Sequence, residues 1–333
     1  YWGGDTTAYA EAGANELGVS MSATVTTDYN ADAKAADPLL DSGLAEYNLG
    51  SIILGESTSA RQGCENIGKI VDEYGAGECF HTFIADTDGA WMFASLSGHQ
   101  WIAFKLDSSV VSVDPNMGSL QYKVDLNDSE NVLHSSDIKS LPEEKGFARY
   151  FDDGSLNVAA TYGPAGDGAG QYTRLMIGTQ YFNKGYAKSL EATLADDGEV
   201  TMIKDPQYTF KPERSNYALN DVLRSLAARG EGGEFDANAN SALYPVGNEY
   251  QAECHFFQVR SGLPADIATV EWLALSRAEF SIYLPSYASL LTEAADTYAD
   301  GDVGHDDGDP MDASADGSLV YVFDDLNDLC EDN

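Results

Sequence analysis

The 333-residue chain carries 55 acidic against 18 basic side chains, a formal net charge of -37 that repels phosphate backbones and anionic membrane surfaces and so disfavours nucleic acid as a partner and membrane docking. With 43% apolar and 11% aromatic residues it can bury a substantial core, which excludes global disorder. No run approaches the roughly 20 apolar residues of a membrane-spanning helix, and no basic n-region precedes an apolar stretch as a signal peptide requires.

In chain order, Ala14-Asn15-Glu16-Leu17-Gly18 reads as a turn, and Val19 to Thr27 is β-branched and small, as a strand is. Ser57 and Ser59 can cap a helix running through Cys64, Ile67 and Ile70 to Tyr74, and Gly75 and Gly77 stop it. Phe80 to Ala85 and Ala90 to Leu96 are apolar runs joined by Asp86-Thr87-Asp88-Gly89, the chemistry of a hairpin turn. Trp101 to Leu106 and Val110 to Val113 add two short strands, so the pattern is an antiparallel meander rather than alternating strands and helices. Asn127 to Gly170 is polar and rich in Asp, Ser and Gly, and predicts long surface loops. Leu190 to Ile203 predicts a hairpin through Asp196-Asp197-Gly198. Asn216 can cap a helix from Leu219 to Arg229 ended by Gly230. Cys254 to Val259 and Ala268 to Ala274 read as strands, and Asp300 to Asp316 as an acidic loop. With no repeat and no clear linker, residues 1–333 are expected to form a single α+β domain.

Most enzyme signatures are absent: there is no G-x-S-x-G elbow, no H-E-x-x-H and no G-x-x-x-x-G-K-[ST]. Gly163 to Gly170 imitates a dinucleotide loop, but Pro164 and Asp167 occupy positions where a pyrophosphate needs bare backbone, so a flexible loop is expected. Ser136-Asp137-Ile138-Lys139 matches S-x-x-K without its partner motifs. His81, His99, His134, His255 and His305 show no ligand spacing, and His81 and His255, in apolar strands, read as hydrogen-bonded core histidines. No metal site and no cofactor is expected. Cys64, Cys79, Cys254 and Cys330 lack C-x-x-C spacing; they allow three pairings, Cys64 with Cys79 being the most local, and free buried thiols are the alternative.

Seven segments share one order with a known family. Ala12-Gly13-Ala14-Asn15-Glu16-Leu17-Gly18-Val19-Ser20-Met21-Ser22-Ala23-Thr24 resembles the "GVNEKGVAMSAT" stretch of the C69 dipeptidases. Ser59-Ala60-Arg61-Gln62-Gly63 with Tyr74-Gly75 resembles "SAREG…YG". Asp86 to Trp91 with Ser97-Gly98-His99-Gln100-Trp101 resembles "D-x-x-x-A-W…SGHQW". Pro115-Asn116 stands at a "P-N" pair, and Tyr172-Thr173-Arg174 resembles "NTPR". Val270 to Ala274 resembles "VQWLA", and Glu279 to Pro285 resembles "EFSVYVP". Together these segments cover the chain from Ala12 to about Tyr287.

The resemblance implies an N-terminal-nucleophile hydrolase of αββα sandwich type that cleaves dipeptides. In that chemistry a Cys freed at a chain start attacks the amide carbonyl, with its own α-amino group as base. It implies supporting catalytic roles for Asn15, as an oxyanion or substrate donor, for Asn116, as a second polar group near the nucleophile, and for Arg174, which orients the site by its charge and fork of donors. His99 and Trp101 are candidate substrate-lining residues. The nucleophile should lie upstream of Ala12, where Tyr1 to Glu11 holds none, and the family continues past Asn333. The chain is therefore expected to be truncated at both ends. An N-terminal companion chain or upstream segment would carry the nucleophile. The readings set against this are a non-catalytic surface or assembly protein that keeps the fold, and an arbitrarily cut piece. A homo-oligomer is compatible with either class, and the charge favours a secreted or cell-surface setting, with the cytoplasm of a salt-adapted organism second.

Overall fold

The computed structural model describes residues 11–292 apart from Thr27 and Ala252, together with Phe323, Leu326, Leu329 and Cys330. The predicted 300–316 loop, His305 and the end of the first predicted strand at Thr27 lie outside the described residues. β1 (Ala12–Ala14) and β2 (Ser20–Val25) pair antiparallel around the predicted turn. α1 (Ala31–Ala36) starts at Asn30, whose Oδ1 accepts the Ala33 N–H at 2.9 Å. α2 (Glu46–Glu56) then leads to α3 (Ala60–Tyr74). Ser59 caps α3 by accepting the Gln62 N–H at 3.2 Å, as the sequence predicts, and Gly75 ends it at φ +78.

β3 (Phe80–Asp86), β4 (Gly89–Ser95) and β5 (Trp101–Lys105) form the expected meander beside β2. Strand alternation sorts their side chains onto two faces. Phe80, Ile84, Trp91, Phe93, Trp101 and Ala103 pack under α2 and α3 against Leu49, Ile53, Ile67 and Val71. Met92, Ala94, Ile102 and Phe104 point the other way, into a core with Met117, Tyr162, Tyr172, Leu175 and Met176.

The predicted fourth meander strand is corrected. β6 (Val111–Ser112) leaves the sheet, and the place beside β5 is taken by β7 (Val132–His134), from the segment expected to be surface loops. That segment also contains α4 (Ser140–Lys145) and α5 (Val158–Tyr162), and it buries Ile138, Phe147, Leu156, Val158 and Tyr162. Its apolar residues fall between tight Asx turns, such as Asp128 accepting from Asn131 and Asp153 from Ser155. They therefore show neither helical nor strand periodicity.

α6 (Ala169–Phe182) and α7 (Lys184–Ser189) precede the predicted hairpin of β8 (Ala192–Leu194) and β9 (Val200–Ile203). β10 (Thr209–Phe210) is the partner that draws β6 away. α8 (Leu219–Leu223) is shorter than expected and passes into a 3-10 turn over Arg224–Ala227. Its N-cap is Ala218 rather than Asn216, and Asp221 accepts the Ala218 N–H at 3.0 Å. β11 (Glu253–Val259), α9 (Ala265–Ala268), β12 (Thr269–Leu275) and β13 (Leu284–Ser286) follow, the strands forming a second antiparallel sheet in the order β11-β12-β13. Thr269 Oγ1 donates to the Gly18 carbonyl at 2.6 Å, which joins this sheet to the β1–β2 edge of the first, ordered β1-β2-β3-β4-β5-β7. Antiparallel sheets with helices over them make the α+β class that the sequence predicts. Among the described residues no helix is long and apolar enough to cross a membrane.

Candidate active site

β2 supplies the site's floor. Met21 faces the helix-covered core, so Ser22 and Thr24 stand on the opposite face of the strand. Thr24 Oγ1 and the Val25 carbonyl each accept from Asn116 Nδ2 at 2.8 Å. Asn116 Oδ1 in turn accepts from Arg174 Nη2 at 2.8 Å. The structure thus brings together two of the predicted site residues, one on the loop after β6 and the other on α6.

Each partner is held from behind. Asp114 fixes the loop, since its Oδ2 lies 2.8 Å from His81 Nδ1 and accepts the Tyr208 hydroxyl at 3.0 Å. Asp167 accepts the backbone N–H groups of Gly118 at 3.0 Å and Ser119 at 3.3 Å. The Gly163 to Gly170 segment, expected to be a flexible loop, is thereby tied to the Asn116 loop, and its last two residues already belong to α6. The Arg174 guanidinium also donates to Gln171 Oε1 and lies 5.5 Å over the Tyr244 ring. Its buried Nε has no hydrogen-bond partner. Burial lowers its pKa, but a guanidinium remains charged, so a fixed cation stands on this ledge.

Asn15 is placed differently. Its Nδ2 donates to the Ser57 carbonyl at 2.9 Å and the Leu54 carbonyl at 3.1 Å, while its Oδ1 accepts the N–H groups of Val19 at 3.0 Å and Leu17 at 3.1 Å. All four hydrogen-bonding positions of the amide are filled by backbone, which is the geometry of a clamp joining the β1–β2 turn to the end of α2. A donor role toward an oxyanion or substrate would require one of these bonds to break.

His99 and Trp101 are not brought to the Asn116–Arg174 pair. Trp101 belongs to the core under α3, where it stacks on Phe93 at 5.3 Å and donates through Nε1 to Asp72 at 2.7 Å. His99 sits in the turn before β5, with its Nδ1 2.9 Å from Asp37 Oδ1 and its backbone N–H 2.6 Å from Oδ2. Packing and turn chemistry account for both.

Several polar residues around the ledge escape a motif reading. Ser22, Thr24, Gln171 and Tyr244 carry no pattern of their own, although hydroxyls at alternate positions of a strand signal one polar face. His255, read as a core histidine, is hydrogen-bonded as expected but only half-buried. Its Nδ1 is 2.8 Å from Glu253 Oε1 and its Nε2 is 2.8 Å from Ser22 Oγ. No cluster of three or more candidate metal ligands occurs among the described residues.

All four cysteines are free. Cys64 and Cys79 pack on opposite faces of the first sheet, in separate cores, so the most local pairing does not form. Burial raises all three buried thiols: Cys79 and Cys254 are pushed up to about 12, and Cys64 further. A buried thiol held protonated is a poor nucleophile.

The sequence profile described as Peptidase family C69 matches residues 3–309. The chain is similar to probable dipeptidase B of Streptococcus pyogenes serotype M1, with 32% identity over 317 residues that cover 90% of this chain and 60% of that protein. It is also similar to the probable dipeptidase of Salmonella dublin, at 31% over 291 residues, covering 85% of this chain and 64% of that protein. Probable dipeptidase A of Streptococcus pyogenes serotype M3 (strain SSI-1) is 24% identical over 286 residues, covering 85% and 60%. The chain spans about three fifths of the length of these curated relatives.

Proposed function

The chain belongs to peptidase family C69, and from that membership we propose that it forms the body of a dipeptidase. Its nucleophile is a Cys thiolate carried on sequence outside these 333 residues. The observation that carries the reading is the Asn116–Arg174 bond, which fixes an amide and a cation on the polar face of β2 while the three buried cysteines of the chain stay protonated.

In this reading the thiolate attacks the dipeptide carbonyl, its own α-amino group relays the proton, and water hydrolyses the acyl-enzyme. Arg174 supplies fixed positive charge near the developing oxyanion, Asn116 positions it, and Asn15 serves as scaffold. The dipeptidase names of the relatives set the substrate class proposed here. The companion segment docks beside the ledge, and the acidic surface suits a secreted or surface-attached setting.

Dipeptide hydrolysis by the native full-length protein, followed by amine release, tests the proposal. Asn116→Ala is expected to lower kcat/KM by about 10- to 100-fold, since it removes the group that holds Arg174. Absence of dipeptide hydrolysis in the unaltered protein sinks the dipeptidase reading and favours a non-catalytic relative that keeps the fold.

A further inference from the structure

Three histidines among the described residues pair with a carboxylate, and they differ in what the second imidazole nitrogen meets. The His81–Asp114 pair is sealed, with side chains 6% and 2% exposed. At His99–Asp37 the neighbouring serine, Ser97, donates to the aspartate rather than to the histidine. At His255 the arrangement is linear: Glu253 Oε1, His255 Nδ1, His255 Nε2, Ser22 Oγ, with both gaps at 2.8 Å. With Nδ1–H donated to the carboxylate, Nε2 is left to accept the Ser22 hydroxyl proton. The His255 and Glu253 side chains are 18% and 33% exposed, and Ser22 is half-buried, so this end of β2 is not sealed from solvent as the His81 pair is.

We infer that Ser22, His255 and Glu253 form a second nucleophilic centre, built across the two sheets, which is acylated at Ser22 by esters or amides of neutral or cationic acyl groups. Ser22 Oγ attacks the carbonyl carbon as its proton passes to His255 Nε2. The tetrahedral adduct collapses, the bond to the leaving alcohol or amine breaks, and that group takes the proton back from Nε2. Water then attacks the acyl-serine, gives a proton to Nε2, and the acid departs as Ser22 Oγ is reprotonated. Glu253 touches no reacting atom; it positions the imidazole and stabilises its charged form. Thr24 stands two residues along on the same face of β2 and reaches Arg174 through Asn116, so the cation shares this ledge.

Charge sets the acyl preference. Glu253 and Glu271 from the second sheet and Glu11 from just before β1 all act on His255, and Glu46 acts on Glu11, so an anionic acyl group is repelled. Burial pulls the His255 pKa down, but the Glu253 hydrogen bond and these carboxylates outweigh it and hold the pKa above the usual histidine range. The neutral base is therefore recovered only as pH rises past that range.

The test uses the native full-length protein and a fluorophosphonate probe, with the modified peptide mapped by mass spectrometry. The expected result is stoichiometric label on Ser22, unaffected by prior blocking of thiols with iodoacetamide and faster as pH rises above 6.5. His255→Gln is expected to slow it about 100-fold or more. No label on Ser22 in the unaltered protein overturns the inference, as does a rate unchanged by His255→Gln in a variant whose circular dichroism matches the parent. Either result leaves the triad as a hydrogen-bonded strut between the sheets. Because the unaltered protein is the primary reagent, a variant that fails to fold does not remove the test. The iodoacetamide arm separates this centre from the thiol site.

Discussion

Arg174 and Asn116, 58 residues apart in the chain, meet through one hydrogen bond of 2.8 Å, and that bond couples α6 to β2 because Asn116 also donates to Thr24 and Val25. One guanidinium nitrogen, Nη2, donates to both Asn116 and Gln171, and the Tyr244 ring lies 5.5 Å from the guanidinium carbon.

Arg174→Lys should therefore not be conservative. A lysine keeps the charge but presents a point donor on a flexible stem, and it cannot stack on Tyr244 while reaching both acceptors. Dipeptide hydrolysis by the full-length protein is expected to fall about 10- to 100-fold in kcat/KM with the melting temperature little changed. A variant with parental kinetics removes Arg174 from the site.

Asn15→Ala should behave in the opposite way. It strands the carbonyls of Leu54 and Ser57 and the N–H groups of Leu17 and Val19, and leaving a buried polar group unsatisfied costs about 1–3 kcal/mol. Urea denaturation should show a loss of that size, while the folded fraction keeps its turnover. Unchanged stability with lost turnover restores a direct catalytic role for Asn15.

Gly68→Ala tests the packing of α3 on the sheet. A Cβ at this position would lie 2.4 Å from the Trp101 ring, and that ring is pinned by Phe93 and Asp72. Neither side can yield cheaply, so destabilisation of about 1–3 kcal/mol is expected from thermal or urea unfolding. Retained stability means that Trp101 is free to move.

What the sequence revealed follows from where its signals are local. The α3 cap at Ser59, the stop at Gly75 and the Asp-Gly hairpins are set by side chains within a few residues, and each appears where predicted. The departure of β6 from the meander was not legible, because it depends on β10, about 100 residues later in the chain. Ordered motif matches selected Asn116 and Arg174, which meet in the fold, yet their contact comes from a loop tied by Asp167 and a helix start that carries no cap signal. The same matches selected Asn15 and Trp101, whose surroundings in the fold are structural. A motif match alone does not separate a residue that shapes a turn from one that faces substrate.

Stability should depend on pH through His255 and Glu11. The folded-state pKa of His255 is raised, so its contribution is complete below the unfolded value of 6.5 and is lost as pH climbs through the folded value. Glu11 is also raised, by burial and by the charges of Glu253 and Glu46, so its contribution is present below 4.5 and fades above it. Both act in the same direction: urea denaturation at stepped pH should show stability falling as pH rises past 6.5, and His255→Gln should flatten that part of the curve. An identical slope in the variant contradicts the assignment.

The most direct test of the central claim is quantitative thiol labelling of the native full-length protein with an iodoacetamide probe, mapped by peptide mass spectrometry. The fastest, stoichiometric label is expected on a Cys outside these 333 residues, with the free and exposed Cys330 labelled more slowly and Cys64, Cys79 and Cys254 silent until the protein is unfolded. Rapid labelling of any of those three, or of no thiol at all, contradicts it.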